Sequence, residues 1–459
     1  MSSQTPEGGL PPAPPRRRAL GLLSASLTAL ALPAGLLSAG CGTREDADDD
    51  AASGTTARLR VVNATGLASV DVYVDDVRRA EGVAAGAASA SFGVEGGGRR
   101  IGVAGSSGAV LQPVTRTLAA GSATTLVAWS GEAGAVGYLA LDDAEAAPAA
   151  GRARLLVFHA ARDAGPLDVH LSSDTAALGD ATRLLSGLAP GSGSSGHLAV
   201  SAGAMRLRLT RPEGVTGDDL RLDVPLALPD RGVVALVIVP GVSGVLAHAL
   251  RIVAGEPVTT LASARARLRV ASAMSDGTAL TVRLGGQALT VPATSPTLGA
   301  YAQVASGAAS LEVRAGTATV TRALDLAAGS DTTVLVGGTA AAPVLTVLAD
   351  DNRLPATTTT TRLRLLHGLS DQAGTLGVRL GNSGEVRAAA APGTVSVAGT
   401  LTPPSGDTDL LVVDTATAAT VLTLAAQRLE PGAVHTVVLL GDSRLAAGRG
   451  LVAALVRDR

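Results

Sequence analysis

A strand–turn–strand pattern that occurs four times constrains this chain more than any other feature of its sequence. Each copy has a short run of alternating apolar and polar residues, a turn-rich gap and a second alternating run, which is typical of two half-buried antiparallel strands, as in a β-hairpin. The copies lie at residues 57–74, 153–171, 266–284 and 361–380. Because they are spaced by about 100 residues, the size of a small domain, the sequence predicts an array of repeated β modules.

The alternation in the first run predicts which side chains face the core. Leu59, Val61 and Asn63 share one face of the strand, and Arg58 and Arg60 share the other, because successive side chains of a strand point to opposite sides. We therefore expect the first three to point inward and the two arginines to face outward.

The third inward position is polar in every copy of the pattern. Its occupants are Asn63, His159, Ser272 and His367. This mixed set shares the ability to form hydrogen bonds and not an affinity for metal. We expect a buried, hydrogen-bonded side chain that holds the following loop, and not a ligand or a catalytic group.

The second run predicts Val70, Val72 and Val74 on the inward face and Asp71 and Tyr73 on the outward face. The outward positions of the other copies are Asp168, His170, Thr281, Arg283, Gly377 and Arg379. Since no outward chemistry is repeated, the pattern favours a variable surface over four copies of one active site.

The pattern resembles the bacterial domain-of-unknown-function family numbered 4397. The shared features are an Arg-bearing strand, then His-Ala or Asn-Ala, an Asp-containing gap, and an apolar-x-Val-x-apolar strand. All four copies resemble it, although Ser272 replaces the His or Asn in the third, and Thr281 and Gly377 replace the second-strand Asp in the third and fourth. The resemblance implies a compact β-sandwich in secreted or envelope-attached proteins, with no activity to transfer.

Further alternating segments extend each copy to a full module. In the first module they lie at residues 87–94, 99–104, 110–118, 124–130 and 136–141. With the two strands of the pattern they make seven, which is typical of an immunoglobulin-like sandwich. We predict an all-β fold of tandem immunoglobulin-like antiparallel β-sandwich modules, each with its own core, at residues 57–150, 151–263, 264–360 and 361–459.

Residues 1–41 have the pattern of an export signal. Three consecutive arginines precede an uncharged stretch at residues 19–40, and Cys41 is the only cysteine of the chain. Residues 37–41, Leu-Ser-Ala-Gly-Cys, resemble a lipobox, which implies lipidation of Cys41; simple cleavage and a retained N-terminal anchor are the alternatives. Residues 42–56 predict a disordered tether. Its acidic run, Asp46, Asp48, Asp49 and Asp50, favours solvation over calcium binding.

Composition excludes several function classes. The chain has no lysine among its 37 basic residues, which excludes a Walker loop and Schiff-base catalysis. A formal net charge of −2 gives no basic field, so we expect no nucleic-acid partner. The sequence contains no G-x-S-x-G nucleophile motif.

Three candidate sites have alternative structural interpretations. The Gly-Ser-Gly-Ser-Ser-Gly run at residues 191–196 has dinucleotide-binding spacing, but no strand precedes it and no helix follows, which favours a flexible hairpin loop. His159, His170 and His197 lack the spacing of a zinc site. Paired acids at residues 142–143 and 350–351 could bind calcium or could be solvated strand ends.

These observations predict a non-enzymatic lipoprotein that needs no cofactor and lies in the bacterial cell envelope. Its partners would be the membrane, through lipid on Cys41, and an envelope or host-surface ligand. We expect the repeat array to serve display, spacing or adhesion, with the four modules strung out over a length on the order of 100 Å. The alternative is a ligand- or calcium-binding module whose site lies in the loops of the second repeat, at residues 190–196 and 211–219.

Overall fold

The computed structural model describes residues 55–105, 108–289 and 294–459. Strands and short 3₁₀ turns are the regular elements of these residues, and the strands form eight sheets. The sheets stack two by two into four β-sandwiches, so the predicted all-β fold of tandem sandwich modules is confirmed.

The first sandwich contains eight strands in two sheets. The strands are β1 (Thr56–Ala64), β2 (Ser69–Val74), β3 (Val77–Ala84), β4 (Phe92–Glu95), β5 (Gly97–Ala104), β6 (Val110–Leu118), β7 (Ala123–Ser130) and β8 (Val136–Asp142), with a 3₁₀ turn at Glu132–Gly134. One sheet has the order β4-β1-β7-β8 and the other β3-β2-β5-β6. Strand β1 begins at Thr56, the last residue of the predicted tether.

The second sandwich repeats this plan with one additional edge strand. The strands are β9 (Arg152–His159), β10 (Leu167–Ser173), β11 (Thr182–Leu188), β12 (Leu198–Ser201), β13 (Gly203–Thr210), β14 (Leu220–Leu228), β15 (Val233–Pro240), β16 (Ala247–Val253) and β17 (Thr259–Leu261). The 3₁₀ turns are Arg162–Ala164, Leu178–Asp180 and Gly217–Asp219. The sheet orders are β12-β9-β15-β16-β17 and β11-β10-β13-β14.

The third sandwich has short edge strands around the same central strands. The strands are β18 (Arg265–Ser272), β19 (Leu280–Leu284), β20 (Gln287–Ala288), β21 (Thr297–Leu298), β22 (Ala302–Ala305), β23 (Gly307–Ala315), β24 (Ala318–Leu326), β25 (Asp331–Thr339) and β26 (Ala342–Asp350). One sheet has the order β21-β18-β25-β26, with β22 also paired to β18, and the other β20-β19-β23-β24.

The fourth sandwich matches the third. The strands are β27 (Thr361–Leu369), β28 (Leu376–Leu380), β29 (Ala388–Ala390), β30 (Thr394–Val395), β31 (Gly399–Leu401), β32 (Thr408–Asp414), β33 (Thr420–Gln427), β34 (Val434–Gly441) and β35 (Leu451–Arg457). One sheet has the order β30-β27-β34-β35, with β31 also paired to β27, and the other β29-β28-β32-β33.

The two strands of the repeated pattern do not form a hairpin, so that interpretation was wrong. In the first sandwich, β1 and β2 lie in different sheets, and the turn between them connects one sheet to the other. This connection lets the apolar faces of both strands point into one core. The first strand of each copy instead pairs in parallel with a later strand, β1 with β7, β9 with β15, β18 with β25 and β27 with β34.

The sequence also missed strand β3. Most of its residues are exposed and show no alternation of apolar and polar side chains, because β3 is an edge strand. Its register shifts at a bulge opposite Asp71, whose carboxylate accepts a hydrogen bond from the Gly82 amide at 2.8 Å. Edge strands are therefore hard to identify from periodicity alone.

Each sandwich has a core of aliphatic side chains, as the alternation predicted. In the first sandwich, Leu59, Val61 and Val72 are fully buried between the two sheets. The outer face of β1, however, is not exposed to solvent. Arg60 is only 8% exposed, so its predicted outward-facing position lies in an interface.

Two further apolar clusters join the sandwiches in pairs. The first contains Val62 and Val127 from the first sandwich and Phe158, Val237 and Leu250 from the second. The second contains Ala271 and Leu335 from the third sandwich and Leu366, Val438 and Leu440 from the fourth. In each sandwich, the sheet that contains the first strand of the repeated pattern (β1, β9, β18 or β27) is therefore covered on both faces.

The four sandwiches do not stand in an extended row, which corrects that expectation. Besides the first sandwich, the second one contacts the third and fourth. Gln303 donates to the Leu220 carbonyl at 2.8 Å, and Arg459 donates to the Gly244 carbonyl at 3.1 Å. Apolar outer faces need cover, and neighbouring sandwiches supply it.

Candidate functional site

The polar side chain at the third inward position is buried and hydrogen-bonded, as predicted. His159 accepts from the Ala161 amide through Nδ1 at 3.2 Å and donates from Nε2 to the Gly165 carbonyl at 2.7 Å. Asn63 makes the same type of contact, since its Oδ1 accepts from the Thr65 amide at 3.1 Å. Both side chains therefore fix the loop that follows the first strand.

In the last two copies, His367 fixes the following loop directly, and Ser272 does so through Ser295, whose hydroxyl donates to the Met274 carbonyl at 2.5 Å. His367 donates from Nε2 to the Gly374 carbonyl at 3.2 Å, and Ser272 donates to Ser295. Burial lowers the pKa of His159 and of His367, which favours the neutral imidazole. These positions are structural and offer no open coordination site.

A chain of hydrogen bonds that we call the Arg–Thr–Asp triple occurs in three of the sandwiches. An arginine of the first strand donates to a threonine of its parallel partner strand, and the threonine donates to an aspartate that ends the neighbouring strand or lies just beyond it. The triples are Arg60, Thr125 and Asp143; Arg269, Thr333 and Asp350; and Arg364, Thr436 and Asp458.

In the third and fourth sandwiches the two triples face each other and form one ionic network. Arg269 Nη1 donates to Asp458 at 2.5 Å, and Arg364 Nη2 donates to the same carboxylate at 2.6 Å. Asp350 lies 3.6 Å from Arg364. All four side chains are at most 3% exposed. Two arginines and two aspartates thus meet inside the interface, where burial raises the pKa of Asp350.

Tyr301 completes this network. Its ring centroid lies 4.4 Å from the guanidinium carbon of Arg269, and its hydroxyl donates to Asp350 at 2.8 Å. Burial raises the pKa of Tyr301 and keeps the hydroxyl protonated. Burial also opposes ionisation of Asp458, but the charges of Arg269 and Arg364 outweigh it and lower the pKa of that carboxyl.

The first and second sandwiches have only half of this arrangement. The second sandwich has Leu156, Ala235 and Ala254 at the positions of the triple. Across the interface, Arg60 instead donates to the carbonyl oxygens of Glu256 at 2.7 Å and Val253 at 2.8 Å. The two interfaces therefore place equivalent sheets against each other, but the network of buried arginines and aspartates lies between the third and fourth sandwiches.

The paired acids that were candidates for calcium binding serve this packing. Asp350 belongs to the ionic network, and Asp143 accepts from Thr125 at 2.7 Å. Asp351 accepts from Arg353 and Arg362, each at 2.8 Å. Sequence reasoning missed the triples, although the matched spacing of Arg, Thr and Asp in three copies was a usable signal.

The structure does not assemble His159, His170 and His197 into a metal site. Within residues 55–105, 108–289 and 294–459, no three His, Cys, Asp or Glu side chains are grouped to hold a metal ion. His159 contacts the loop described above, and His170 lies 3.2 Å from the hydroxyl of Thr210.

Asp168 and His170 were predicted to point outward but are buried, being 1% and 8% exposed. Asp168 contacts the loop at residues 211–219, and His170 contacts Thr210, the residue before that loop. Asp168 accepts from the amides of Gly187 at 2.7 Å and Glu213 at 3.0 Å. Its role parallels that of Asp71, which accepts from the amide at the equivalent bulge.

The loops of the second repeat are closed by their own contacts. The Gly-Ser run at residues 191–196 lies along β9, where the Ser194 amide donates to the Val157 carbonyl at 2.8 Å. In the other loop, Asp219 accepts from the hydroxyl of Thr216 at 2.7 Å and from Arg211. The Thr216 hydrogen bonds lower the pKa of Asp219 well below its usual range.

A cavity of 370 Å³ lies beside the first of these two loops and has the only tryptophan of the chain in its wall. Trp129 packs edge-on against Phe158 with ring centroids 5.3 Å apart. Pro190 and Gly191 form one side of the cavity, and Pro355 forms another. Aromatic residues make up only 1% of the chain, so a contact between two of them at one site is unusual for this sequence.

The predicted lipidation site Cys41 and the acidic run at residues 46–50 lie outside the described residues. Among the described residues, no helix is long and apolar enough to cross a lipid bilayer.

Several solved structures resemble parts of this chain, whereas no curated protein matches it. A "putative cell adhesion protein" from Bacteroides uniformis is 14% identical, with a TM-score of 0.20, over 44% of this chain and 98% of its own. A second so described, from Bacteroides ovatus, is 12% identical, with a TM-score of 0.17, over 44% of this chain and 96% of its own. The Bacillus anthracis TIE protein is 8% identical, with a TM-score of 0.15, over 84% of this chain and 68% of its own. Scores this low carry no argument about function.

A family model also matches parts of the sequence. The model of the "Domain of unknown function (DUF4397)" matches residues 57–170 and 266–379, two stretches where the sequence pattern suggested four copies. Each match begins at the first strand of one sandwich and ends within the second pattern strand of the next, β10 or β28. Two stretches of the chain thus match the DUF4397 model, and each extends from one sandwich into its paired neighbour.

Proposed function

We propose that this protein is a non-enzymatic, envelope-tethered scaffold whose sandwiches present a surface for adhesion or display. The observation that carries the proposal is the use of reactive side chains in packing. The buried His, Arg and Asp groups that could support catalysis are bonded to loops or to one another. The surface that remains accessible can offer a partner its shape and its exposed side chains, but not these buried reactive groups.

The ionic network supports this interpretation because its side chains bond to one another and are closed to a substrate. Arg364 and Asp458 are each at most 2% exposed, and both bond to groups of the neighbouring strands. A nucleophile or general base needs an approach path for substrate and a partner that orients it. Groups held in this way lack such a path.

Rigid joints also suit display. Each sandwich pair shares a buried apolar cluster, and the second pair adds a network of arginine and aspartate side chains inside its interface. A surface held in fixed geometry loses less conformational entropy when it binds a partner. Lipid on Cys41 and the following tether would hold this body at the membrane.

The proposal can be tested on cells that express the full chain. We expect external protease to shave the protein from intact cells, and we expect those cells to adhere to at least one of immobilised mucin, fibronectin, collagen or purified cell wall. Cells that express Cys41→Ala at equal level are the matched control and should lose adherence. Surface-exposed protein that confers no adherence to any of these coats would contradict the proposal.

A second candidate is a ligand-binding role for the loops of the second repeat. The cavity beside Trp129 favours it, because Pro190, Gly191 and Arg162 of the second sandwich line it together with that ring. Small-molecule sites are typically concave, with apolar walls and a few polar groups. Titration of the full chain with oligosaccharides and proline-rich peptides, followed by Trp129 fluorescence, tests it; unchanged emission with every compound would remove it.

A further inference from the structure

The four copies of the repeat provide an internal comparison at the first arginine of each pattern. These arginines are Arg58, Arg154, Arg267 and Arg362. Three of them have a carboxylate partner. Arg154 pairs with Glu145, Arg267 pairs with Asp331 at 2.5 Å, and Arg362 pairs with Asp351 at 2.8 Å.

Arg58 differs from the other three. Within the part of the chain that the structure describes, its exposed guanidinium has no ion pair and no hydrogen bond. A single residue separates it from the arginine of the third sandwich. Ala123 stands opposite Arg58 in the parallel strand pair, where Asp331 stands opposite Arg267.

Asp143 lacks a cation for a related reason. In the second pair of sandwiches, both aspartates of the triples lie within 4.0 Å of an arginine. In the first pair, Arg60 is turned towards two carbonyl oxygens, and Asp143 accepts from the hydroxyl of Thr125. Among the described residues, Asp143 therefore has no ion-pair partner.

Both unpaired charges line the same cleft. The cleft has a volume of 700 Å³ and lies between the first and second sandwiches. Ala123 lies between them, since it pairs with Arg58 on one side and its carbonyl accepts from the Asp143 amide at 3.0 Å on the other. Two strand spacings place their backbones about 10 Å apart.

The walls of the cleft come from two loops, residues 87–91 of the first sandwich and 254–258 of the second. Alanine, serine, glycine and proline predominate there, and the lining residues that the structure describes include no aromatic ring. A sugar face usually stacks on an aromatic ring, so this lining does not favour a carbohydrate.

We propose that this cleft binds a short zwitterionic peptide. A carboxylate of the peptide would receive two parallel hydrogen bonds from the fork of Arg58, and an ammonium group would donate to the free oxygen of Asp143. The lining also includes Arg60, which is bonded to carbonyl oxygens, and Glu256, which is paired with Arg251 at 3.1 Å. One unpaired charge of each sign therefore remains in the cleft and selects for one charge of each sign in the ligand. A volume of 700 Å³ lies in the usual range of ligand sites.

This inference names a ligand class for the surface-display role and in that sense rests on the proposed function. The two can fail separately, because peptide binding is measured with the full chain in solution and adherence is measured on cells. Peptide binding without adherence would remove the display role and leave the site.

The test uses the full chain carrying Cys41→Ala and the capped peptide Ac-Glu-Gly-Lys-NH2, measured by isothermal titration calorimetry. Replacing Glu or Lys of the peptide by Gln should weaken binding about tenfold or more, the usual loss for a charge-assisted contact. Arg58→Gln and Asp143→Asn in the protein should each have the same effect.

Ala123→Asp is the decisive variant, because it copies the Arg267–Asp331 pair of the third sandwich. It should also weaken peptide binding about tenfold or more, whereas Ala123→Asn, equal in size and uncharged, should change it by less than about threefold. Circular dichroism melts identify variants that fail to fold. Equal binding of all three peptides, binding of galacturonic acid oligomers in preference to the peptide, or insensitivity to Ala123→Asp would overturn the proposal.

Discussion

Arg269 and Asp458 form a 2.5 Å hydrogen-bonded ion pair although 189 residues separate them in the sequence. The pair joins the first strand of the third sandwich to the end of the fourth. Both side chains are at most 3% exposed, so each needs the other to offset the cost of burial. The contact makes the two sandwiches one structural unit, and it guides the first prediction.

Asp458→Ala should destabilise the chain by about 3–5 kcal/mol, because it leaves two buried arginines facing one aspartate. Replacing the whole triple by Arg364→Leu, Thr436→Ala and Asp458→Ala should cost less. The triple variant copies Leu156, Ala235 and Ala254 of the second sandwich and removes one charge of each sign. Urea denaturation with a constant m-value is the measurement. A triple variant less stable than Asp458→Ala would contradict this view of the network.

Fragments containing a sandwich pair should fold better than a single sandwich. A fragment of residues 55–150 exposes Val62 and Val127, which are fully buried in the complete chain. We expect it to aggregate or to melt at a lower temperature than the fragment 55–263, in which the second sandwich covers both side chains. Circular dichroism melts and size-exclusion chromatography compare the two. Equal melting temperatures would show that the interface contributes little.

Stability should fall as the pH decreases below neutrality, owing in part to the buried histidines. Burial lowers the pKa of His159 and His367 in the folded chain, whereas in the unfolded chain the value is about 6.5. The unfolded state therefore binds more protons below about pH 6.5. The stability that neutral histidine provides is present above that pH and is lost as the pH falls towards the folded pKa, by up to about 1.4 kcal/mol per pH unit for each group.

The doubly substituted chain His159→Asn, His367→Asn is the matched control, because Asn63 occupies the same position in the first sandwich. Asparagine can bond the loop but does not titrate. Denaturant midpoints between pH 8 and pH 5 should fall less steeply in this variant than in the parent chain. Parallel curves would mean that these two histidines do not contribute to the pH dependence.

Cys41→Ala should release the protein from membranes or leave an unprocessed precursor, because a thioether-linked lipid needs the cysteine sulfur. Detergent phase partition and mass spectrometry of the mature N-terminus are the measurements. The parent chain should carry acyl mass, and the variant should not. Equal membrane partition and equal N-terminal mass in the two proteins would exclude lipidation.

Gly137→Ala should displace the Trp129 ring and reshape the cavity beside it. A Cβ atom at position 137 would lie 2.4 Å from a carbon of that ring, well inside van der Waals contact. Trp129 is the only tryptophan, so its fluorescence emission should shift in this variant. Gly98→Ala is the control, since its Cβ would meet no atom closer than 3.9 Å. An unchanged emission spectrum in Gly137→Ala would contradict the packing.

Local periodicity determined the core of each sandwich. The alternation of Leu59, Val61 and Asn63 correctly placed an inward face with a polar end, because a strand side chain has only two sides to occupy. The same logic placed His159 and His367 inside, but it wrongly placed His170, which is 8% exposed, on the outside. It did not locate β3, whose exposed residues carry no alternation.

Only the tertiary structure decided what covers the other face of those strands. Arg60 was predicted to face outward, and Arg269 occupies the same position in the third copy of the pattern, yet both are less than 10% exposed in the fold. Alternation separates two faces but does not say whether water or another sandwich lies against the second one. The partners of these arginines come from distant strands or from another sandwich, so the sequence alone determined four similar modules and tertiary packing decided that they form pairs.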